Sequence, residues 1–174
     1  DILFTTGTTG APKGVTLSYL NEEAAARQIN QFIGNSADDI ELLALPLSHS
    51  FGLGRMRCVL SAGGTLVLLG SFANIKRFFR EMGTHGVTGF GMVPAAWAYI
   101  KKFSGRRIAE FSGQLKYVEI GSSFMSTEDK KLLMELLPNT RLCMHYGLTE
   151  ASRSAFMEFH SAGDALDSAG KASP

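Results

Sequence analysis

From Leu42 to Phe159 the chain keeps switching between two hydrophobic periods, and this constrains its fold more than any other feature. Short apolar runs at Leu42 to Leu45, Thr65 to Leu69, Val87 to Met92, Leu115 to Ile120 and Arg141 to Met144 read as strands. Between them, apolar residues recur at helical spacing. Ile75, Phe78, Phe79 and Met82 form one stripe, closed by Gly83. Trp97 and Ile100 follow Pro94, a residue suited to the first helical position. Leu132, Leu133, Leu136 and Leu137 form another, with a capping pattern at Ser126-Thr127-Glu128-Asp129 and a stop at Pro138. An earlier helix has Asn21 as N-cap, acids at Glu22 and Glu23, a face of Ala25, Ile29, Phe32 and Ile33, and Gly34 as its end. Leu47 to Leu53 reads as a loop turning into an apolar helix, Gly63-Gly64 as a turn, 104–113 as a solvated loop or short helix, and Ser154 to Phe159 as one more strand. This alternation predicts an α/β layered domain with a largely parallel sheet, residues 1–174 forming one unit. In such sheets ligands bind outside the carboxyl ends of the strands. The segments at Gly121, His145 and Tyr146 all follow strands, so one shared site is expected there.

Composition removes several classes of function. A net charge of +1 gives no electrostatic footprint for nucleic acid or an anionic membrane surface. No apolar run reaches membrane-spanning length and no signal peptide opens the chain. Cys58 and Cys143 lack metal-ligand spacing and read as reduced thiols, which points to a cytoplasmic protein. His85 and His160 have no acid or cysteine at ligand spacing, and Lys76, Arg77 and Arg80 read as a solvated helix face. Gly121-Ser122-Ser123 does not make the G-x-S-x-G elbow of a hydrolase. The chain opens at Asp1 directly in an apolar segment and closes at Pro174 without a terminal element, as a piece of a longer protein would.

Chemistry concentrates first in Phe4-Thr5-Thr6-Gly7-Thr8-Thr9-Gly10-Ala11-Pro12-Lys13-Gly14. Ile2 to Phe4 and Val15 to Leu17 read as buried strands on either side of it, so this is a loop between strands. Its glycines permit close backbone approach, its hydroxyls and N–H groups are donors, and Lys13 adds a positive charge, which together suit a triphosphate. The Walker pattern G-x-x-x-x-G-K-[ST] does not fit, because Lys13 follows a proline and precedes a glycine. Read alone, the stretch is either an anion-binding loop or a flexible polar turn.

The whole string resembles the phosphate-binding signature of the adenylate-forming (AMP-binding) superfamily, which includes acyl- and aryl-CoA synthetases, luciferases and peptide-synthetase adenylation domains. Its form [ST]-[ST]-G-[ST]-T-G-x-P-K-G is met at every fixed position from Thr5 to Gly14. His145-Tyr146-Gly147-Leu148-Thr149-Glu150 resembles the superfamily's Y-G-x-T-E motif. Gly121-Ser122-Ser123-Phe124-Met125 stands where a G-G-A-P-L-like segment is usual, departing from it at Ser122 and Phe124. Pro46 to Gly52 resembles the substrate-side P-x-x-H-x-x-G loop, and Gly170-Lys171 a following block, so the likeness runs from about Asp1 to Ser173.

The resemblance implies a large N-terminal domain of which this chain is the central fragment, and a two-step reaction. A carboxylate attacks the α-phosphorus of ATP to give acyl-AMP and pyrophosphate, and a thiol, usually CoA, then displaces AMP. It implies that Thr5, Thr6, Gly7, Thr8, Thr9, Gly10 and Lys13 hold the β- and γ-phosphates. Thr149 would meet the α-phosphate and Glu150 would hold Mg²⁺. Gly121, Ser122, Ser123, His145, Tyr146 and Gly147 would frame the adenine, and His49 would lie near the carboxylate. Amino-acid-activating members carry an aspartate early in the His49 loop. Residues 46–53 contain no acid, which favours a fatty or aryl carboxylate. The family's ribose-binding aspartate, hinge and mobile C-terminal domain with its catalytic lysine would lie beyond Pro174, so the 174-residue chain alone is expected to be inactive. A non-catalytic nucleotide-binding module and an amino-acid adenylation domain remain as alternatives.

Overall fold

The computed structural model describes residues 1–5 and 10–173. Thr6, Gly7, Thr8 and Thr9, the tip of the phosphate-type loop, lie outside the described residues. A two-stranded antiparallel hairpin, β1 (Ile2–Thr5) and β2 (Lys13–Thr16), comes first, with Thr5 opposite Lys13. Beyond it, α1 (Tyr19–Ile33), β3 (Ile40–Leu43), α2 (Ser50–Ser61), β4 (Thr65–Leu68), α3 (Ile75–Thr84), β5 (Gly89–Met92) and α4 (Pro94–Ser104) alternate. They are followed by β6 (Tyr117–Ile120), α5 (Thr127–Leu136), β7 (Arg141–Tyr146), β8 (Ala155–Glu158) and β9 (Lys171–Ala172). The seven-stranded sheet has the order β4-β3-β5-β6-β7-β8-β9. Pairing is parallel from β4 to β7 and antiparallel for β7/β8 and β8/β9.

Side-chain alternation along the strands sorts the sheet into two faces. Leu42, Phe90, Met92, Val118, Ile120 and Leu142 pack with Phe78, Trp97 and Leu133 of α3, α4 and α5. Tyr117, Cys143 and Phe156 point the other way, onto Ala26, Ile29 and Ile33 of α1 and Cys58 of α2. Helices thus cover both faces, and the parallel strands β5 and β6 are buried throughout. Both cysteines are free and buried. Burial pushes their thiols up to about 11 for Cys58 and about 12 for Cys143, so neither is an activated nucleophile. Among the described residues no helix is long and apolar enough to cross a membrane.

The local expectations hold in type and shift in detail. Ile2 and Phe4 were expected to be buried, yet they are 61% and 72% exposed, because β1 pairs with β2 alone and stands off the main sheet. Helix α1 starts earlier than Asn21. Ser18 is the N-cap and Asn21 is the third helical residue, its Oδ1 accepting from the Ser18 N–H while Ser18 Oγ accepts from the Asn21 N–H. Helix α3 runs one residue past Gly83, and the left-handed residue is Gly86 at φ +60°. At α5 only half of the expected reciprocal cap forms. Ser126 Oγ accepts from the Asp129 N–H, but the Asp129 carboxylate accepts from Trp97 Nε1 (3.1 Å) and Lys101 Nζ (2.5 Å).

Candidate active site

The five parallel strands run the same way, so the segments that leave β3, β4, β5, β6 and β7 meet along one edge of the sheet. These are 44–49, 69–74, 93, 121–126 and 147–154. Clefts open there among the described residues. One of about 410 Å³ is lined by Thr5, His49, Ser122, His145, Thr149 and Glu150, among others. A neighbouring one of about 460 Å³ has Ser123, Phe124, Tyr146, Gly147 and Lys130 in its walls. A third of about 530 Å³ is lined by Pro46, His49, Phe72, Val93, Ala96 and Tyr99 with their neighbours, and is mostly apolar.

Residues that sequence motifs single out therefore meet in space. Thr149 and Glu150 lie in the turn after β7, and no helix begins at Thr149. Thr149 Oγ1 is 3.5 Å from Ser50 Oγ, and Glu150 is exposed. Tyr146 is 58% exposed, and with Phe124 and Leu148 it gives the second cleft flat apolar walls. His145 and Tyr146 are the last two residues of β7, not loop residues as expected. His49 caps α2, its Nδ1 accepting from the Phe51 N–H at 3.1 Å, so the neutral ring carries its proton on Nε2. It borders two clefts that Ser122 also lines. Lys13 opens β2 and is exposed, and Gly10 lies at φ +90°. Ser122, at the departure from the family pattern, adopts a left-handed φ of 72°. That conformation costs a residue with a Cβ about 1–2 kcal/mol, of which glycine would give back about 0.5–1 in chain entropy. Ser122→Gly should therefore stabilise the protein by about 0.5–1 kcal/mol, read as a rise in urea midpoint.

Four charged residues that motif reading missed form a buried cluster, of which Arg153 also lines the 410 Å³ cleft. Glu41 and Glu119 project from β3 and β6 toward α2, where they meet Arg55; all three side chains are fully buried. Arg55 Nε donates to Glu41 Oε1 and Oε2 at 3.0 and 3.1 Å, its Nη2 pairs with the same carboxylate, and its Nη1 lies 3.2 Å from Glu119 Oε2. Tyr117 Oη donates to Glu41 Oε2 at 2.6 Å. Arg153 Nε donates to Glu119 Oε1 at 3.0 Å, and His145 Nδ1 lies 2.7 Å from the same oxygen. Glycines make the room. A Cβ on Gly89 would lie 2.3 Å from the Tyr117 ring, and one on Gly91 would lie 3.0 Å from Leu45 and 3.3 Å from Arg55. Two guanidiniums balance two carboxylates, so the cluster is neutral when His145 is neutral. Burial does lower the His145 pKa, although Glu119 opposes it. Burial alone would raise Glu119, but Arg153, His145 and Arg55 together hold it well below the usual carboxylate range. Its stabilising contribution is thus present above the ordinary glutamate range and lost as pH falls through the lowered value. The available sequence signal was a lone acid inside each of two apolar strands and an arginine inside an apolar helix.

Similarity to known proteins gives the family and the fold. A protein-family model described as "AMP-binding enzyme" matches residues 2–174. Similar proteins include the chloroplastic/peroxisomal 2-succinylbenzoate–CoA ligase of Arabidopsis thaliana, 35% identical over 162 residues. That match covers 91% of this chain and 29% of the relative. 4-Coumarate-CoA ligase 1 of Narcissus pseudonarcissus is 33% identical over 153 residues, covering 85% of this chain and 28% of the relative. The chain thus spans under a third of the length of these relatives. Among solved structures, o-succinylbenzoate CoA synthetase from Bacillus subtilis in complex with ATP and magnesium ion superposes with a TM-score of 0.85 at 25% identity. This covers 99% of this chain and 35% of that one. The layered sheet with its helices on both faces, Thr5 sharing a cleft with Thr149 and Glu150 at its carboxyl edge, and the family match lead to one assignment: this chain belongs to the AMP-binding enzyme family.

Proposed function

We propose that this chain is the nucleotide-binding core of an AMP-forming ligase that activates a fatty or aryl carboxylate and passes it to CoA. The observation that carries the reading is the 410 Å³ cleft in which Thr5, His49, Ser122, Thr149 and Glu150 face one another at the carboxyl ends of parallel strands. The reaction needs positioning more than covalent chemistry from the protein. The hairpin loop, from Thr5 through Thr6, Gly7, Thr8 and Thr9 to Gly10 and Lys13, binds the β- and γ-phosphates. Thr149 donates its hydroxyl to the α-phosphate. Glu150 fits a hard cation: it is an exposed carboxylate next in sequence to that hydroxyl. Mg²⁺ bound there would neutralise phosphate charge, taking one carboxylate and keeping phosphate and water oxygens. Gly121, Ser122, Ser123, Tyr146 and Gly147 frame the adenine, with Tyr146 as the stacking face and the buried His145 ring behind it.

His49 sits between the polar cleft and the apolar one, so its Nε2–H suits a carboxylate whose tail enters the apolar side. Among the described residues that line the apolar cleft, His49 is the sole titratable group besides Tyr99, whose hydroxyl donates to the Ala73 carbonyl at 2.9 Å. No carboxylate is present there to hold a substrate ammonium, which argues against an amino acid. The cytoplasmic location, the C-terminal mobile domain supplied by further chain and the inactivity of the 174-residue piece alone are parts of this reading.

The test is carboxylate-dependent ATP–pyrophosphate exchange by the full-length protein across fatty, aryl and amino acids. Exchange with none of them refutes the proposal. Lys13→Ala should weaken ATP by about 1.5–3 kcal/mol, the size of a lost charge-assisted contact, and AMP far less. Calorimetric titration of both nucleotides checks this, and equal losses would remove Lys13 from the β/γ-phosphate site.

A further inference from the structure

The geometry points to Arg153 as a positioning residue of the adenylation site, one that fixes the 147–153 turn in the conformation that presents Thr149 and Glu150. The inference rests on the function proposed above. Thr149 and Glu150 are weakly anchored on their own account, through one 3.5 Å hydroxyl contact to Ser50 and an exposed carboxylate. The turn itself closes with two hydrogen bonds, Leu148 N–H to the Ala151 carbonyl at 3.1 Å and Ala151 N–H to the Leu148 carbonyl at 3.2 Å. Arg153 ends it, at a left-handed φ of 53° that a residue with a side chain adopts only when its surroundings enforce it.

The enforcement is visible. Arg153 is 3% exposed, and its guanidinium is held on every side. Nε donates to Glu119 Oε1 at 3.0 Å, Nη1 to Ser152 Oγ at 2.9 Å and Nη2 to the Phe51 carbonyl at 3.4 Å. The carbon at its centre stacks 4.9 Å from the Phe51 ring centroid. Two glycines leave space for its two ends: a Cβ on Gly54 would lie 2.6 Å from Nη1, and one on Gly147 would lie 2.4 Å from the Arg153 backbone nitrogen. Glu119 is fixed in turn by Arg55, and Arg55 by Glu41 on β3. The anchor of the turn therefore reaches through β6 and α2 to β3. A lysine at 153 would keep the charge but lose the fork that reaches Glu119, Ser152 and Phe51 together.

The test uses the full-length protein with Arg153→Gln, Arg153→Lys and Gly54→Ala. The glycine variant keeps every charge and pushes the planar guanidinium from its Nη1 side, so it probes the same anchor without removing the partner of a buried carboxylate. Amide hydrogen exchange at Leu148 and Ala151 is read beside kcat, KM and Mg²⁺ dependence in pyrophosphate exchange. Arg153→Gln should speed exchange at both amides at least about 10-fold, lower kcat about 100-fold, as expected of small misplacements, and raise the Mg²⁺ half-saturation. KM for the carboxylate should stay within about two-fold, Arg153→Lys should recover part of kcat, and Gly54→Ala should move the same readouts by less. Unchanged protection at Leu148 and Ala151 would overturn the inference, and so would a loosened turn with kcat and Mg²⁺ dependence intact. If the parent protein activates no carboxylate, the proposed function falls first, and amide exchange alone then decides whether Arg153 holds the turn.

Discussion

Arg55→Met is expected to cost about 3–5 kcal/mol of folding stability, because it strands Glu41 and Glu119 in an interior they share with no other full set of partners. Glu41 would keep Tyr117 Oη at 2.6 Å, and Glu119 would keep Arg153 at 3.0 Å, but the cluster would carry one uncompensated negative charge. That charge cannot reach water, since both carboxylates are fully buried. Urea unfolding read by two probes checks the size, and a loss under about 1 kcal/mol would mean that the cluster relaxes or that one carboxylate takes up a proton. The second case is separable. If protonation rescues the variant, its deficit shrinks as pH falls toward the carboxylate range, whereas a packing defect leaves the deficit flat. Arg55→Met with Glu41→Leu should recover much of the loss, because it removes one buried charge of each sign and leaves Glu119 paired with Arg153.

Gly121→Ala should be nearly as damaging, for a reason of space alone. A Cβ at 121 would lie 2.1 Å from His145 Cε1, 2.2 Å from Nε2 and 2.7 Å from Nδ1. The ring has no free direction of retreat. Phe51 meets it edge-on with centroids 4.6 Å apart, Phe156 lies 6.3 Å away, and Nδ1 is held 2.7 Å from Glu119. Overpacking of this kind costs about 1–3 kcal/mol, and breaking the Glu119 contact adds to it. The expected result is a Tm drop together with a shift of the His145 ring resonances. A variant of wild-type stability would show that the ring moves freely, and that the wall between the 410 and 460 Å³ clefts is soft.

The architecture was legible because burial on both faces leaves continuous apolar strands and burial on one face leaves a helical stripe. Val87 to Met92 and Leu115 to Ile120 could hardly be anything else. The direction of the last strands was not legible, since Ala155 to Glu158 looks the same whether it pairs parallel or antiparallel with β7. The short string from Tyr146 to Glu150 stood out because its residues are neighbours in sequence, and they line the 410 and 460 Å³ clefts. The charge cluster stayed hidden for the opposite reason. Arg153 and Glu119 are 34 positions apart and Arg55 and Glu41 14 apart, on different elements, and no local pattern joins them. Exposure of the hairpin was misjudged because Ile2, Leu3 and Phe4 carry strand-like apolarity whether or not a sheet receives them.

The pairing of β7 with β8 has a consequence for how this chain can change length. Tyr146 opposes Ala155 and Cys143 opposes Glu158, so the connection 147–154 is closed at both ends by ladder partners. One inserted residue must either bulge within that connection or slide β8 by a single position. Sliding would turn Phe156 away from Phe32, on which it stacks at 4.2 Å, and bring Met157 out of the opposite core to replace it. Neither side of the sheet has a place for the exchanged residue. Insertions between Gly147 and Ser154 must therefore be absorbed by the turn that carries Thr149 and Glu150, which makes loop length there a property of the site and not a spare degree of freedom.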